Sequence, residues 1–128
     1  MKTATHTLAL LLALPLSACG TLGAPVTTTL GITGVRLPET VAPTAPLDVA
    51  IDLVHANCEY SGERVILSSR TQNTLTLKTE VTRTQPGAVC NTGISYGTLT
   101  YTDPGTPARM GPFEVIVDGK SWGKVSVR

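Results

Sequence analysis

Apolar and polar side chains alternate in short runs along most of the chain. From Leu47 to His55, Leu47, Val49, Ile51 and Leu53 fall on one face, with Asp48, Ala50 and Asp52 on the other. A period of two marks a half-buried strand. The longest such run is Thr74 to Thr84, where Leu75, Leu77, Thr79 and Val81 oppose Thr76, Lys78, Glu80 and Thr82. Its β-branched residues suit a pleated surface because their stiff side chains pack well there. Further strands are predicted at Ile32 to Leu37, Glu63 to Ser69 and Ile94 to Thr102. The chain closes on a hairpin, with Phe113, Val115 and Val117 alternating, Asp118-Gly119 as the turn, and Ser121 to Val127 returning. Asp-Gly favours the primed turns that match strand twist. Trp122 and Gly123 are placed to form a bulge in the returning strand.

Pro38, Pro86-Gly87 and Asp103-Pro104-Gly105 punctuate these runs, and proline and glycine there signal turns. Beyond the first twenty or so residues, no segment of ten or more shows helical spacing. Seven short strands between turns predict an all-β domain over residues 32–128, a single immunoglobulin-like β-sandwich. Between Cys19 and that domain, residues 19–31 are small and polar and read as a flexible tether. Such a linker of about a dozen residues reaches roughly 20 Å. Whether Val26 to Leu30 pairs as a strand is left open by the pattern.

The first eighteen residues have another organisation. Lys2 precedes the apolar run Leu8-Ala9-Leu10-Leu11-Leu12-Ala13-Leu14, and small residues follow. A basic start, a short apolar stretch and a small-residue site define a secretory signal peptide. The run is shorter than the roughly 18–20 residues of a transmembrane helix. Leu16-Ser17-Ala18-Cys19 resembles the lipobox of bacterial lipoproteins. The resemblance implies cleavage before Cys19, a diacylglyceryl thioether on its sulfur, and attachment to a membrane of the cell envelope. In a two-membrane cell, Gly20 is not the aspartate that retains such proteins at the inner membrane, so the outer membrane is expected. An ordinary signal peptide cut near Ala18 would leave Cys19 a plain thiol.

Removing Lys2 from ten basic and nine acidic residues leaves a formally neutral chain. It has no basic stripe, which argues against nucleic-acid binding, and no polybasic segment for lipid headgroups. Membrane association therefore falls to the lipid, since each buried acyl methylene contributes about 0.8 kcal/mol. With Cys19 lipidated, Cys58 and Cys90 remain as a pair in an oxidising compartment, where a disulfide is expected. In the chain-entropy account it would add roughly 3–4 kcal/mol.

Asn57-Cys58-Glu59, Pro86-Gly87-Ala88-Val89-Cys90 and the terminal hairpin from Gly111 to Gly119 resemble a group of small bacterial surface or periplasmic lipoproteins with immunoglobulin-like domains. The resemblance covers about the last eighty residues. It implies the fold and no catalytic chemistry.

Four constellations invite a chemical reading. Gly93-Ile94-Ser95-Tyr96-Gly97 matches the Gly-x-Ser-x-Gly elbow, but that motif needs strand, sharp turn and helix, with an acid and a histidine later in the chain. No histidine follows Ser95, and His55 is the one left beyond the signal segment. His55, Cys58, Glu59 and Cys90 are competent metal donors, though a metal would require both thiols reduced; no metal and no cofactor is expected. Asp48 and Asp52 share an outward face as solvated charges that discourage edge pairing. Trp122, Tyr60, Tyr96 and Tyr101 serve as core or as a binding surface.

The expected function is a lipid-anchored, non-catalytic binding or structural module, held to a membrane through Cys19 and engaging an envelope protein or surface ligand by a loop or a sheet edge. The alternative is an exported inhibitor or accessory subunit of an envelope enzyme, acting through an exposed loop at residues 103–111.

Overall fold

The computed structural model describes residues 26–56, 60–83 and 94–128. Among them the chain forms nine strands: β1 (Val26–Thr28), β2 (Gly31–Arg36), β3 (Thr40–Val41), β4 (Leu47–Ala56), β5 (Tyr60–Arg70), β6 (Thr74–Arg83), β7 (Ile94–Asp103), β8 (Phe113–Val117) and β9 (Lys120–Val127). Three make a small sheet in the order β2-β4-β7, and six make a larger one along β1-β6-β8-β9-β3, with β5 on the other side of β6. The all-β sandwich expected from the alternation is what the chain adopts. Each of the seven expected strands is present within a few residues of its expected ends.

The core lies where the alternation put it. Leu47, Val49, Ile51 and Leu53 of β4 face Leu75, Leu77 and Val81 of β6 and Phe113, Val115 and Val117 of β8 in one buried cluster. Each such side chain contributes about 1.5–3 kcal/mol through apolar burial. Val125 of β9 is fully buried as well.

Two short strands carry no pattern of their own. β1 pairs with the end of β6, Val26 opposite Arg83, and Leu30 enters the core. The sandwich thus begins by residue 26, inside the stretch read as tether, and pairing is the outcome for Val26 to Thr28. β3 adds two residues in parallel to β9. The larger sheet is mixed, because β8 also runs parallel to β6. Parallel neighbours need a long crossover, and here β7 in the other sheet supplies it.

β5 occupies one edge of β6, so β1 and β8 share the opposite edge end to end. The β8–β9 turn falls at their junction. Asp118 and Gly119 have φ of 48° and 77°, and Val117 pairs with Lys120 across them, the two-residue primed turn expected from Asp-Gly. The expected bulge is also present. Pairing shifts between Val115–Gly123 and Ile116–Ser121, leaving Trp122 as the extra residue.

Arg83 pairs with both Val26 and Tyr60, and Ala56 pairs with Ile94. These residues gather at one end of the sandwich, the N-terminal end. β6 starts at the opposite end, where Thr74 adjoins Glu114 and Phe113 pairs with Val125 near the C-terminus.

Candidate functional site

Two of the buried polar residues, Asp103 and Arg109, are engaged with each other and with Arg70. Arg70, at the end of β5, donates from Nε and Nη2 to the two carboxylate oxygens of Asp103 at 2.8 and 3.0 Å. Arg109 also donates to Asp103 Oδ2, and its Nη1 donates to the carbonyls of Ala45 at 2.6 Å and Ala42 at 3.1 Å. Both guanidinium groups stack over the Phe113 ring, 4.7 and 5.3 Å from its centroid, a cation–π arrangement. Burial pushes the Asp103 carboxyl up, but hydrogen bonds from Arg70 and Arg109, followed by their charges, outweigh it and hold the group below the usual carboxylate range. Neighbouring Tyr101 is raised, first by burial and then by the Asp103 charge.

This cluster anchors the loop at residues 103–111, whose other six residues are exposed as expected. Asp103, Gly105 and Arg109 are buried, and a Cβ on Gly105 would lie 2.4 Å from the Thr44 carbonyl oxygen. The loop is tied down from inside, which leaves Met110 as its exposed large apolar residue. The cause is the Arg70–Asp103–Arg109 triad. Sequence reasoning missed it because arginines beside turns look solvated.

A second polar knot sits where β6 changes partner. Asp118 accepts from the Thr79 amide at 2.8 Å and from its hydroxyl at 2.5 Å, while Thr79 Oγ1 accepts from the Leu30 amide at 3.2 Å. A shallow groove of about 250 Å³ beside it is lined by Ile32, Lys120 and Trp122, among others. Lys120 Nζ lies 4.0 Å from the Trp122 ring centroid, and among the described residues the buried Trp122 indole nitrogen has no hydrogen-bond partner.

The structure places the remaining sequence candidates as follows. Cys19, Cys58, Glu59 and Cys90 lie outside the described residues, as does the side chain of His55. Ser95 sits opposite His55 in a ladder between β4 and β7 that has no register shift. An unbroken strand carries Ser95, and the sharp turn a nucleophile elbow requires is not there. Asp48 and Asp52 do not guard an edge, because β4 is the middle strand, with β2 on one side and β7 on the other. They serve as cross-strand acceptors instead. Asp52 takes two bonds from Arg36 at 2.9 and 3.1 Å and one from Thr98 at 2.7 Å, which lower its carboxyl. Asp48 accepts from Thr102 at 2.6 Å. Of the aromatics, Tyr101 and Trp122 pack against the core, whereas Tyr96 is 75% exposed.

The candidate site is the strand that carries Tyr96. Sheet edges present unpaired backbone groups and are normally blunted by charge, bulges or shortness. Among the described residues, three of the edges follow that rule. β5 has two register shifts and carries Arg64 and Arg70, β2 has one shift and Arg36, and β3 is two residues long. β7 follows none of it. Among the described residues it pairs with β4 alone, and from Ile94 to Thr102 it has no charge, no proline and no shift. Ile94 is 63% exposed beside Tyr96, and Thr98, Thr100 and Thr102 continue the outward row. This surface can take up an extended segment through backbone hydrogen bonds. Tyrosine, isoleucine and threonine are the residue types that favour such pairing.

Comparison with known proteins found no relative: no family profile, no curated protein and no solved structure matches the chain.

Proposed function

We propose that the protein is a lipid-anchored lipoprotein of a bacterial cell envelope that acts as a non-catalytic binding module through the edge of β7 that faces away from β4. The observation carrying the binding reading is the uncharged, unshifted run from Ile94 to Thr102 beside exposed Ile94 and Tyr96. Strand addition uses such edges, with main-chain bonds giving affinity and alternate side chains giving specificity.

The anchor reading is supported by Leu16-Ser17-Ala18-Cys19. Pairing begins at Val26, seven residues after Cys19. Seven residues span at most about 25 Å even when fully extended, so the N-terminal end of the sandwich would stand close to the headgroups. The pairing of Cys58 with Cys90 is supported by strand ends. Ala56 and Tyr60 bracket Cys58, Arg83 and Ile94 bracket Cys90, and these four form the register pairs Ala56–Ile94 and Tyr60–Arg83 at one end.

Two measurements test the reading. Labelled fatty acid should enter the chain in a lipoprotein-processing host and be lost in Cys19→Ala; equal labelling of both removes the anchor. A photo-crosslinking residue at Tyr96 in intact cells should give a reproducible adduct that the same residue at Ser126 does not. Equal adducts at the two positions remove the binding edge.

A further inference from the structure

We infer that the segment β7 receives is β7 of a second copy, antiparallel about a two-fold axis through Thr98, so that the two small sheets become one. This rests on the reading of β7 as a binding edge and does not need the lipid.

β7 is complementary to its own reverse. A two-fold axis perpendicular to a sheet keeps outward side chains outward in both copies and pairs each residue with its mirror position in the strand. Thr98 is the midpoint of the uncharged run 94–102. With the axis there, the outward row pairs Ile94 with Thr102, Tyr96 with Thr100, and Thr98 with itself. The inward row pairs Ser95 with Tyr101 and Gly97 with Leu99. Each pair except the central one sets a large side chain against a small one, on both faces. Aromatic–β-branched and Thr–Thr pairs are favourable across strands, and like charges directly opposite are not. The run brings no charge to any of these positions. The charge that ends it, Asp103, is buried under Arg70 and Arg109. A foreign segment could pair with this backbone, but the strand's own reverse fits it residue by residue.

Sheet growth of this kind also uses the partner types already present on β4. Val54 stands opposite Tyr96 and Ala50 opposite Thr100, so each outward β7 residue would be flanked on both sides by an uncharged or hydrogen-bonded neighbour. Asp52 and Asp48 accept from Thr98 and Thr102, which keeps their charge directed at threonine hydroxyls.

The test uses the full chain purified in non-ionic detergent. Light scattering across a concentration series should show twice the monomer mass at high concentration. Thr98→Cys should form a reducible dimer whose linked peptide joins residue 98 to residue 98, since directly opposed Cα atoms in either ladder geometry lie within disulfide range. Ser126→Cys, on β9, should not. Thr98→Lys places two ammonium groups face to face and should return the monomer mass with an unchanged circular dichroism spectrum. A wild-type chain that is monomeric throughout overturns the inference, as does a 98–98 link no more abundant than that at residue 126. A monomer whose Tyr96 position still captures one identified foreign protein in cells also overturns it, and leaves the binding edge standing.

Discussion

Arg70 and Asp103 join the two sheets. The guanidinium of Arg70 on β5 meets the carboxylate of Asp103 on β7 through two contacts of 2.8 and 3.0 Å, with both side chains almost wholly buried. The pairs Arg36–Asp52 and Arg64–Glu80 are more exposed, and each lies within one sheet. Removing one member of a buried pair strands the other in a medium that solvates it poorly. Asp103→Ala is therefore expected to cost about 3–5 kcal/mol, read as a shift in the urea midpoint. Glu80→Ala, which leaves a half-exposed arginine, should shift that midpoint much less.

Acid should reveal the same contact. Asp103, Asp52 and Glu80 are all held below the ordinary carboxylate range. A carboxyl with a lowered folded value stabilises the fold above its unfolded value, and that contribution is lost as pH falls through the folded one. Stability should thus be level near neutrality and decline below about pH 4. Denaturation midpoints measured from neutral pH downward check this. Asp103→Asn, which cannot ionise, should be less stable at neutral pH and fall less steeply on acidification.

Two glycines with positive φ separate backbone strain from crowding. Gly119 has open space around it, whereas Gly105, at φ 87°, has the Thr44 carbonyl in the way of any Cβ. Gly119→Ala should cost about 1 kcal/mol from conformation alone. Gly105→Ala adds a backbone collision and should cost clearly more, about 3 kcal/mol or above. Thermal unfolding of the two variants side by side gives the comparison.

Asp118 is the acceptor for two donors of Thr79, which is fully buried. Asp118→Ala leaves both donors without that acceptor and is expected to cost about 1–3 kcal/mol. Asp118→Asn keeps one acceptor and tolerates the left-handed turn conformation, so its loss should be smaller. Hydrogen exchange at the Thr79 amide offers a local readout, with faster exchange expected in Asp118→Ala.

Side-chain periodicity made most of the fold legible in advance. Where one face of a strand is buried, as in β4, β6 and β8, alternation is imposed by the core, and it gave Leu47 to Leu53, Leu75 to Val81 and Phe113 to Val117 directly. The Asp118-Gly119 turn and the bulge at Trp122 were legible because each needs particular residue types. β1 and β3 were not predicted as strands, since two or three residues held by backbone bonds impose no period. The parallel approach of β8 to β6 depends on which distant strand fills an edge, a property of the assembled sheet. The triad was hidden for a similar reason. Arg70 lies 33 positions before Asp103, and nothing local distinguishes it from a solvated arginine. The proposed edge was half visible: Ile94 to Thr102 was recognised as a strand, but only the sheet order showed that, among the described residues, one of its sides carries no paired strand.

The placement of Val26 and Val127 at opposite ends of the sandwich has a mechanical consequence. Traction applied between the two termini would draw β1 and β9 lengthwise along their neighbours. The inter-strand bonds, lying across that direction, would be loaded together in shear instead of being peeled one after another. A domain threaded in this way resists being pulled open along its own axis, whatever is attached at either extremity.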